Sequence, residues 1–106
     1  MLRFSLEDLE RIIADRESAA SEASYTKSLL QGGSEYIAKK FGEEAVEVII
    51  AVVQNDTDAI RAEAADVLFH FLVLMKSRNI SLESILSVLA QRTSQSGHSE
   101  KAGRSK

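Results

Sequence analysis

Two pairs of acidic residues lie within otherwise apolar stretches of the sequence: Glu44 with Glu47, and Glu63 with Asp66. Each pair has the spacing acid-x-x-acid, which places both carboxylates on the same face of an α-helix. If the two segments pack as neighbouring antiparallel helices, the four carboxylates converge. Carboxylates surrounded by valine, isoleucine and phenylalanine are costly unless a positive charge neutralises them. The pattern therefore predicts that these four residues bind a divalent cation.

The residue types also indicate which cation is expected. Carboxylate ligands favour a hard ion, Mg²⁺ or else Mn²⁺, with water molecules completing the octahedron. The alternative is that Glu44 and Glu47 belong to a solvated acidic face, and that a single buried acid makes a structural ion pair. His70 lies on the same helical stripe as Glu63 and Asp66. It either ligates the metal, which would favour iron or zinc, or is a core histidine hydrogen-bonded to a neighbour; we prefer the second interpretation because four carboxylates already suffice.

Basic and small residues upstream suggest contacts with phosphate groups. Lys27 and Lys40 are the candidates, with ordinary surface lysines as the alternative. Gly32 and Gly33 stand before a third helix, where free backbone N–H groups can bind an anion. The same two glycines are also a common way to end a helix. Ligand stacking and core packing both remain open for the two tyrosines, Tyr25 and Tyr36.

Composition restricts the class of protein. The chain has 106 residues, a net charge of −3, no cysteine and no proline. This suits a single soluble domain without disulfides in a reducing cytoplasm, and no secretion signal is evident. The negative charge argues against a general nucleic-acid-binding protein. The longest apolar stretches are interrupted by Glu47, Asp66 and His70 and fall short of the ~20 residues of a membrane span.

Periodicity and capping residues predict an all-α fold, a bundle of about four to five helices. Ser5 with Asp8, Ser34, and Asp56 or Thr57 have the types and positions of helix N-caps. The β-branched run in Val46–Val53 would also suit a strand, but the helix-forming stretch upstream and the helical spacing of its apolar residues favour a helix. The predicted helices cover residues 5–17, 24–31, 34–54, 58–77 and 81–92.

The predicted third and fourth helices contain more apolar surface than a lone bundle of this size can cover. A homodimer built on these helices would bury that surface. Residues 1–92 are therefore expected to form the domain. Residues 93–106 are small, polar or charged and are expected to form a disordered tail.

Over residues 5–92, three motifs together resemble one enzyme family, phosphoribosyl-ATP pyrophosphohydrolase. The motifs are Tyr25-Thr26-x-x-Leu29-Leu30-x-x-Gly33, Lys40-x-Gly42-Glu43-Glu44-x-x-Glu47 and Glu63-x-x-Asp66-x-x-x-His70. The closing segment from Val73 to Glu83 is also similar. The broader class is the all-α, MazG-like nucleotide pyrophosphohydrolases, which share an ExxE motif, a spacer and an ExxD motif. In the narrower family a tyrosine often precedes the histidine, whereas this chain has Phe69.

The resemblance implies a reaction and a role for each matching residue. Water would attack the α–β phosphate link of phosphoribosyl-ATP, giving phosphoribosyl-AMP and pyrophosphate in the second step of histidine biosynthesis. Lys40 and Lys27 would contact phosphates, and Glu43 or Glu44 could accept the proton of the attacking water. The resemblance assigns Mg²⁺ to four residues: Glu44, Glu47, Glu63 and Asp66.

Two other functions remain compatible with these residues. A house-cleaning enzyme would use the same metal site to hydrolyse free nucleoside or deoxynucleoside triphosphates. A non-enzymatic dimeric helical module would instead use the acids in ion pairs with basic residues, namely Lys39, Lys40 or Arg61. For both enzymes the expected partner is a small-molecule nucleotide.

Overall fold

The computed structural model describes residues 3–19 and 24–94, and every regular element within these ranges is an α-helix. The described residues form five helices: α1 (Leu6–Glu17), α2 (Tyr25–Gly32), α3 (Ser34–Val53), α4 (Thr57–Ser77) and α5 (Leu82–Thr93). The all-α fold is therefore confirmed, including a helix through the β-branched run of α3. Thr93 still belongs to α5, one residue into the predicted tail. The rest of that tail, from residue 95, lies outside the described residues.

Side-chain caps set the start of most of these helices. The hydroxyl or carboxylate of the cap accepts a hydrogen bond from a backbone N–H three residues ahead in four cases: Ser5, Ser24, Asp56 and Ser81. The prediction that Ser34 caps α3 is wrong, because Gly33 occupies the cap position with φ +88°. The Ser34 hydroxyl lies 2.9 Å from that of Ser77. Because Ser77 donates its own proton to the Leu74 carbonyl, Ser34 is the donor, and it joins the start of α3 to the end of α4.

Helices α3 and α4 end in the same left-handed turn. Asn55 and Asn79 follow them with φ of 57° and 58°, a conformation that asparagine tolerates better than most residues. The N–H groups of each asparagine and of the next residue bond back to the last helical turn at 3.0–3.2 Å: Asn55 to Val52, Asp56 to Ala51, Asn79 to Lys76 and Ile80 to Met75. The first turn leaves only residues 54–56 between α3 and α4, so these helices form a hairpin with the most extensive contact in the fold.

The core lies where all five helices meet. Its buried side chains are Ile13, Leu29, Ile37, Leu72, Val73 and Leu82. Each such side chain contributes about 1.5–3 kcal/mol to folding by leaving water. Although α3 is 20 residues long, only Ile37 and Ala51 of that helix are buried. Most side chains of α3 therefore lie outside the core of this chain.

Helix α5 is attached to the other helices at its first turn. Leu82 is buried, and its N–H donates to the carboxylate of Glu10 on α1 at 2.8 Å. Further along α5, Leu86, Val88 and Leu89 are exposed. No helix in the described part of the chain is both long enough and apolar enough to cross a lipid bilayer.

Candidate metal and nucleotide site

Three of the four predicted metal ligands meet on the α3–α4 hairpin. One carboxylate oxygen from each of Glu44, Glu63 and Asp66 lies within 4.8 Å of the other two. The register of the hairpin explains this. Glu44 is eleven residues before Asn55 and Asp66 eleven residues after it, so an antiparallel pair of helices places them level with each other. Glu63 is one turn from Asp66 on the same face of α4.

The electrostatics of Glu63 show that these carboxylates repel one another. Partial burial, a hydrogen bond with the Asp66 carboxyl group and the negative charges of Glu47, Asp66 and Glu44 all raise the pKa of Glu63 above its ordinary value. A raised carboxyl pKa means that the folded chain favours a form with less negative charge at this point. A proton or a bound cation would supply that change.

Glu47 lies at the edge of this group. Its side chain is exposed and is not among the three that converge, so it is not enclosed by the apolar residues that flank it in the sequence. Along α3, Val46 and Val48 point away from Glu47, because successive residues of a helix are about 100° apart. The charge of Glu47 nevertheless acts on Glu63. Its role as a fourth ligand remains a prediction.

The donor atoms fit a hard divalent cation. All three side chains offer oxygen, the element that Mg²⁺ and Mn²⁺ prefer. The carboxylate oxygens lie within 4.8 Å of one another and would draw closer together around such an ion.

His70 is a hydrogen-bonded core residue, as preferred from the sequence. It is 5% exposed, and its Nδ1 lies 2.7 Å from the Asp66 carbonyl oxygen. A carbonyl only accepts, so Nδ1 carries the proton. The other ring nitrogen, Nε2, lies 2.9 Å from the Tyr25 hydroxyl and is hydrogen-bonded to it. Both ring nitrogens are thus occupied, and neither has a lone pair free for a metal.

Tyr25 contributes to the site in a way that its position in the sequence did not reveal. Its ring stacks on Phe69 with centroids 6.1 Å apart, and its hydroxyl connects α2 to His70 on α4. Partial burial raises the pKa of Tyr25, and the charge of Lys40 opposes that increase, while Tyr36, Glu44 and Asp66 add to it. Tyr25 is half exposed. It therefore lies at the edge of the carboxylate group, facing solvent.

The two lysines predicted to contact phosphate occupy different places. The Lys40 ammonium lies 3.7 Å from a Glu43 carboxylate oxygen and 5.8 Å from the centroid of the Tyr36 ring, one helical turn before Glu44. The Lys27 ammonium donates to the Ala19 carbonyl at 2.9 Å, just beyond the end of α1. Lys40 is therefore beside the carboxylates, whereas Lys27 is bonded to the backbone of Ala19. A phosphate contact remains a prediction for both.

Comparison with known proteins identifies the family. The model of the family described as phosphoribosyl-ATP pyrophosphohydrolase matches residues 6–93. The chain belongs to this family. A similar protein, phosphoribosyl-ATP pyrophosphatase 1 of Rhodopseudomonas palustris, is 56% identical over 104 residues, which cover 98% of this chain and 97% of that protein. The protein of the same name from Bradyrhizobium diazoefficiens is 54% identical over 104 residues, covering 98% of each chain. Phosphoribosyl-ATP pyrophosphatase of Nitrobacter hamburgensis is 51% identical over 106 residues, covering 100% of this chain and 99% of that protein.

Membership of the phosphoribosyl-ATP pyrophosphohydrolase family confirms the resemblance found in the motifs. The matched residues include all seven predicted site residues: Lys27, Lys40, Glu43, Glu44, Glu47, Glu63 and Asp66. A cavity of about 610 Å³ between α1 and the end of α4 contains none of them. The candidate site of this phosphoribosyl-ATP pyrophosphohydrolase is instead the open acidic face of the α3–α4 hairpin, with Tyr25 and Lys40 at its edge.

Proposed function

We propose that this chain hydrolyses phosphoribosyl-ATP to phosphoribosyl-AMP and pyrophosphate, the second step of histidine biosynthesis, with Mg²⁺ bound at the acidic face. The observation that carries the proposal is the meeting of Glu44, Glu63 and Asp66 within 4.8 Å in a chain of this family. A nucleotide with a chain of phosphates is strongly anionic. It would be repelled by three carboxylates unless a cation stood between them.

The side chains have separable tasks in this reaction. Glu44, Glu63 and Asp66 would hold Mg²⁺, or Mn²⁺ in its place, with Glu47 as a further ligand. The bound cation supplies charge neutralisation for the phosphate oxygens and for the pyrophosphate that leaves.

Water adds one oxygen at the α–β phosphate link while the bridging P–O bond breaks, and its proton passes to a carboxylate, for which Glu43 and Glu44 are the candidates. Lys40 would bind phosphate oxygens, and Lys27 would do so only after leaving the Ala19 carbonyl.

Pyrophosphate release from a panel of nucleotides tests this function. Purified protein is incubated with phosphoribosyl-ATP, ATP or deoxynucleoside triphosphates, each with Mg²⁺ and with EDTA. Release from phosphoribosyl-ATP alone, abolished by EDTA, is the expected result. Release from free nucleotides instead would move the protein to the house-cleaning class, and no release from any nucleotide would contradict an enzymatic role.

We further propose that the chain acts as a cytoplasmic homodimer. The outer face of α3 and the later turns of α5 expose large apolar side chains that a second copy would cover: Val46, Ile49, Val53, Leu86 and Leu89. Several exposed large apolar side chains on one helix face are typical of an interface. A two-fold axis would bring each patch against its own equivalent. Analytical ultracentrifugation at micromolar concentration tests this proposal, and a monomer would contradict it.

A further inference from the structure

Gly32 is not required by the backbone at its position. It is the last residue of α2, and the glycine with positive φ in the described chain is its neighbour Gly33. Ending the helix therefore explains Gly33 but leaves Gly32 unexplained. A residue with an ordinary helical φ would normally favour alanine, because glycine has more conformational freedom to lose.

The reason for Gly32 lies in the next helix. A Cβ atom built on Gly32 would be 2.6 Å from Cδ2 of Tyr36, 3.1 Å from its Cγ and 3.3 Å from its Cε2. Cγ and Cδ2 lie at the base of the ring, so a small movement of the ring tip would not relieve the contact. The Tyr36 ring thus rests directly on the backbone of Gly32, and any side chain there would displace it.

The ring of Tyr36 in turn lies under Lys40. Tyr36, Lys40 and Glu44 are spaced four residues apart on α3 and share one face. The Lys40 ammonium lies 5.8 Å from the ring centroid, within the range of a cation–π interaction. A lysine side chain has many rotamers. The ring of Tyr36 on one side and the carboxylate of Glu43 on the other, 3.7 Å away, restrict this one.

We propose that Tyr36, seated on Gly32, is a positioning residue that holds the ammonium group of Lys40 beside the carboxylate group, where the phosphates of the nucleotide bind. The proposal rests on the proposed function for the identity of the ligand. It assigns Gly32 a role in substrate affinity that acts through the position of the Tyr36 ring. It also gives Tyr36 a role other than stacking on a base or filling the core.

Steady-state kinetics with phosphoribosyl-ATP test the role in affinity. Tyr36→Leu is expected to raise KM roughly two- to fivefold, the range expected for an exposed cation–π contact, with little change in kcat. Gly32→Ala should reproduce this effect, and Tyr36→Phe, which keeps the face of the ring, should restore the original KM. Lys40→Met should give the largest increase, whereas Lys39→Met is the matched control for loss of one positive charge on α3. An unchanged KM in Tyr36→Leu, or Tyr36→Phe as impaired as Tyr36→Leu, would overturn the proposal.

Two measurements without turnover separate this proposal from the proposed function. Isothermal titration with pyrophosphate and Mg²⁺ should show weaker binding in Tyr36→Leu by a similar factor, even if phosphoribosyl-ATP is not hydrolysed.

Thermal unfolding tests whether the Tyr36 ring rests on the backbone of Gly32. In a Tyr36→Ala background, Gly32→Ala changes only the helix propensity and should raise the Tm. When Tyr36 is present, the added methyl group also displaces its ring, so the same substitution should lower the Tm or leave it unchanged. An equal rise in both backgrounds, or unaltered pyrophosphate binding, would refute it.

Discussion

Helix α3 has two opposite faces, one acidic and one apolar. The rest of this chain neither neutralises the charge of the first face nor buries the side chains of the second. On one face, Glu44 lies within 4.8 Å of two carboxylates of α4. On the opposite face, Val46, Ile49 and Val53 are 51%, 61% and 76% exposed. At 100° per residue these positions are roughly half a turn from Glu44. The acidic face holds unneutralised charge, and the apolar face leaves hydrocarbon in water.

The two faces would be stabilised by different kinds of binding partner. Repulsion between a few carboxylates is relieved by one small positive ion at one point, so the acidic face depends on the positions of individual oxygens. Apolar surface is stabilised in proportion to the area removed from water, so the outer face depends on area more than on any one atom. Single substitutions should therefore abolish the function of the first face and weaken that of the second by degrees.

The largest effect is expected on the acidic face. Glu63→Gln keeps the shape of the side chain but removes a metal-ligating charge, and kcat for phosphoribosyl-ATP should fall by more than about 100-fold. Glu35→Gln, an exposed acid in the first turn of α3, is the matched control and should retain activity. Circular dichroism checks that both variants fold. Activity close to the original in Glu63→Gln would contradict the metal site.

A smaller effect is expected on the apolar face. Ile49→Lys places a charge where a large side chain would be buried twice in a two-fold dimer, costing about 3–6 kcal/mol of association energy. The dissociation constant should rise by roughly two to four orders of magnitude. Sedimentation equilibrium measures it, with Arg61→Ala on exposed α4 surface as a control. An unchanged dimer would place the interface elsewhere.

Removal of the metal should lower the thermal stability of the fold, because the carboxylates of the acidic face then repel one another. A cation that binds only the folded chain stabilises it by about 2.7 kcal/mol at a concentration 100 times its Kd. Adding Mg²⁺ to EDTA-treated protein should therefore raise the Tm by several degrees. The same addition to Glu63→Gln should have much less effect. Equal increases in both proteins would indicate general ionic screening in place of a site.

Gly42 lies on the same outer face of α3 as Val46 and Ile49, and a substitution there tests this face with a smaller change. It lies in the interior of α3, is exposed, and has no atom within 4 Å of an added Cβ. Gly42→Ala should stabilise the monomeric fold by about 0.5–1 kcal/mol through helix propensity. If a second copy approaches closely there, the same methyl should weaken the dimer. Comparing the Tm of the double variant Gly42→Ala with Ile49→Lys against that of Ile49→Lys alone isolates the first effect, and a loss of stability would contradict it.

The smallest effect is expected from protonation of Glu63 in metal-free protein. A carboxyl whose pKa is raised in the folded state contributes stability below its unfolded pKa of about 4.5, and that contribution is lost as the pH rises through the higher folded value. In EDTA at pH 7, Glu63→Gln should therefore melt at a higher temperature than the unmodified chain. The difference should shrink as the pH falls toward 4.5. A constant difference across this range would contradict the pKa shift.

Local features of the sequence predicted the helices well. A cap such as Asp56, an absence of proline and a 3.6-residue apolar spacing act within one or two turns, so they can be recognised without knowing the fold. The convergence of Glu44 with Glu63 and Asp66 also followed from local information. It required only that two consecutive helices with a short connection pack antiparallel.

Contacts between distant segments could not be predicted in this way. The bond from Tyr25 to His70 spans 45 residues and that from Ser34 to Ser77 spans 43, so each depends on how α2, α3 and α4 pack. The role of Gly32 was hidden for the same reason, because only the placement of the Tyr36 ring shows why a side chain is excluded. Glu47 is exposed although its neighbours in the sequence are apolar, because successive residues of a helix point in different directions.

The three-residue connection between α3 and α4 has a consequence for the order in which the protein is made. Pairing of consecutive helices closes a short loop and costs little chain entropy, so the hairpin can form early. The ribosome releases a chain from its N-terminal end. Asp66, the last of the three carboxylates to be synthesised, precedes the first residue of α5, Leu82, and therefore leaves the ribosome first. We therefore expect the nascent chain to bring the three carboxylates together before α5 has left the ribosome, so that the cation site forms before the full outer surface is available to a second copy.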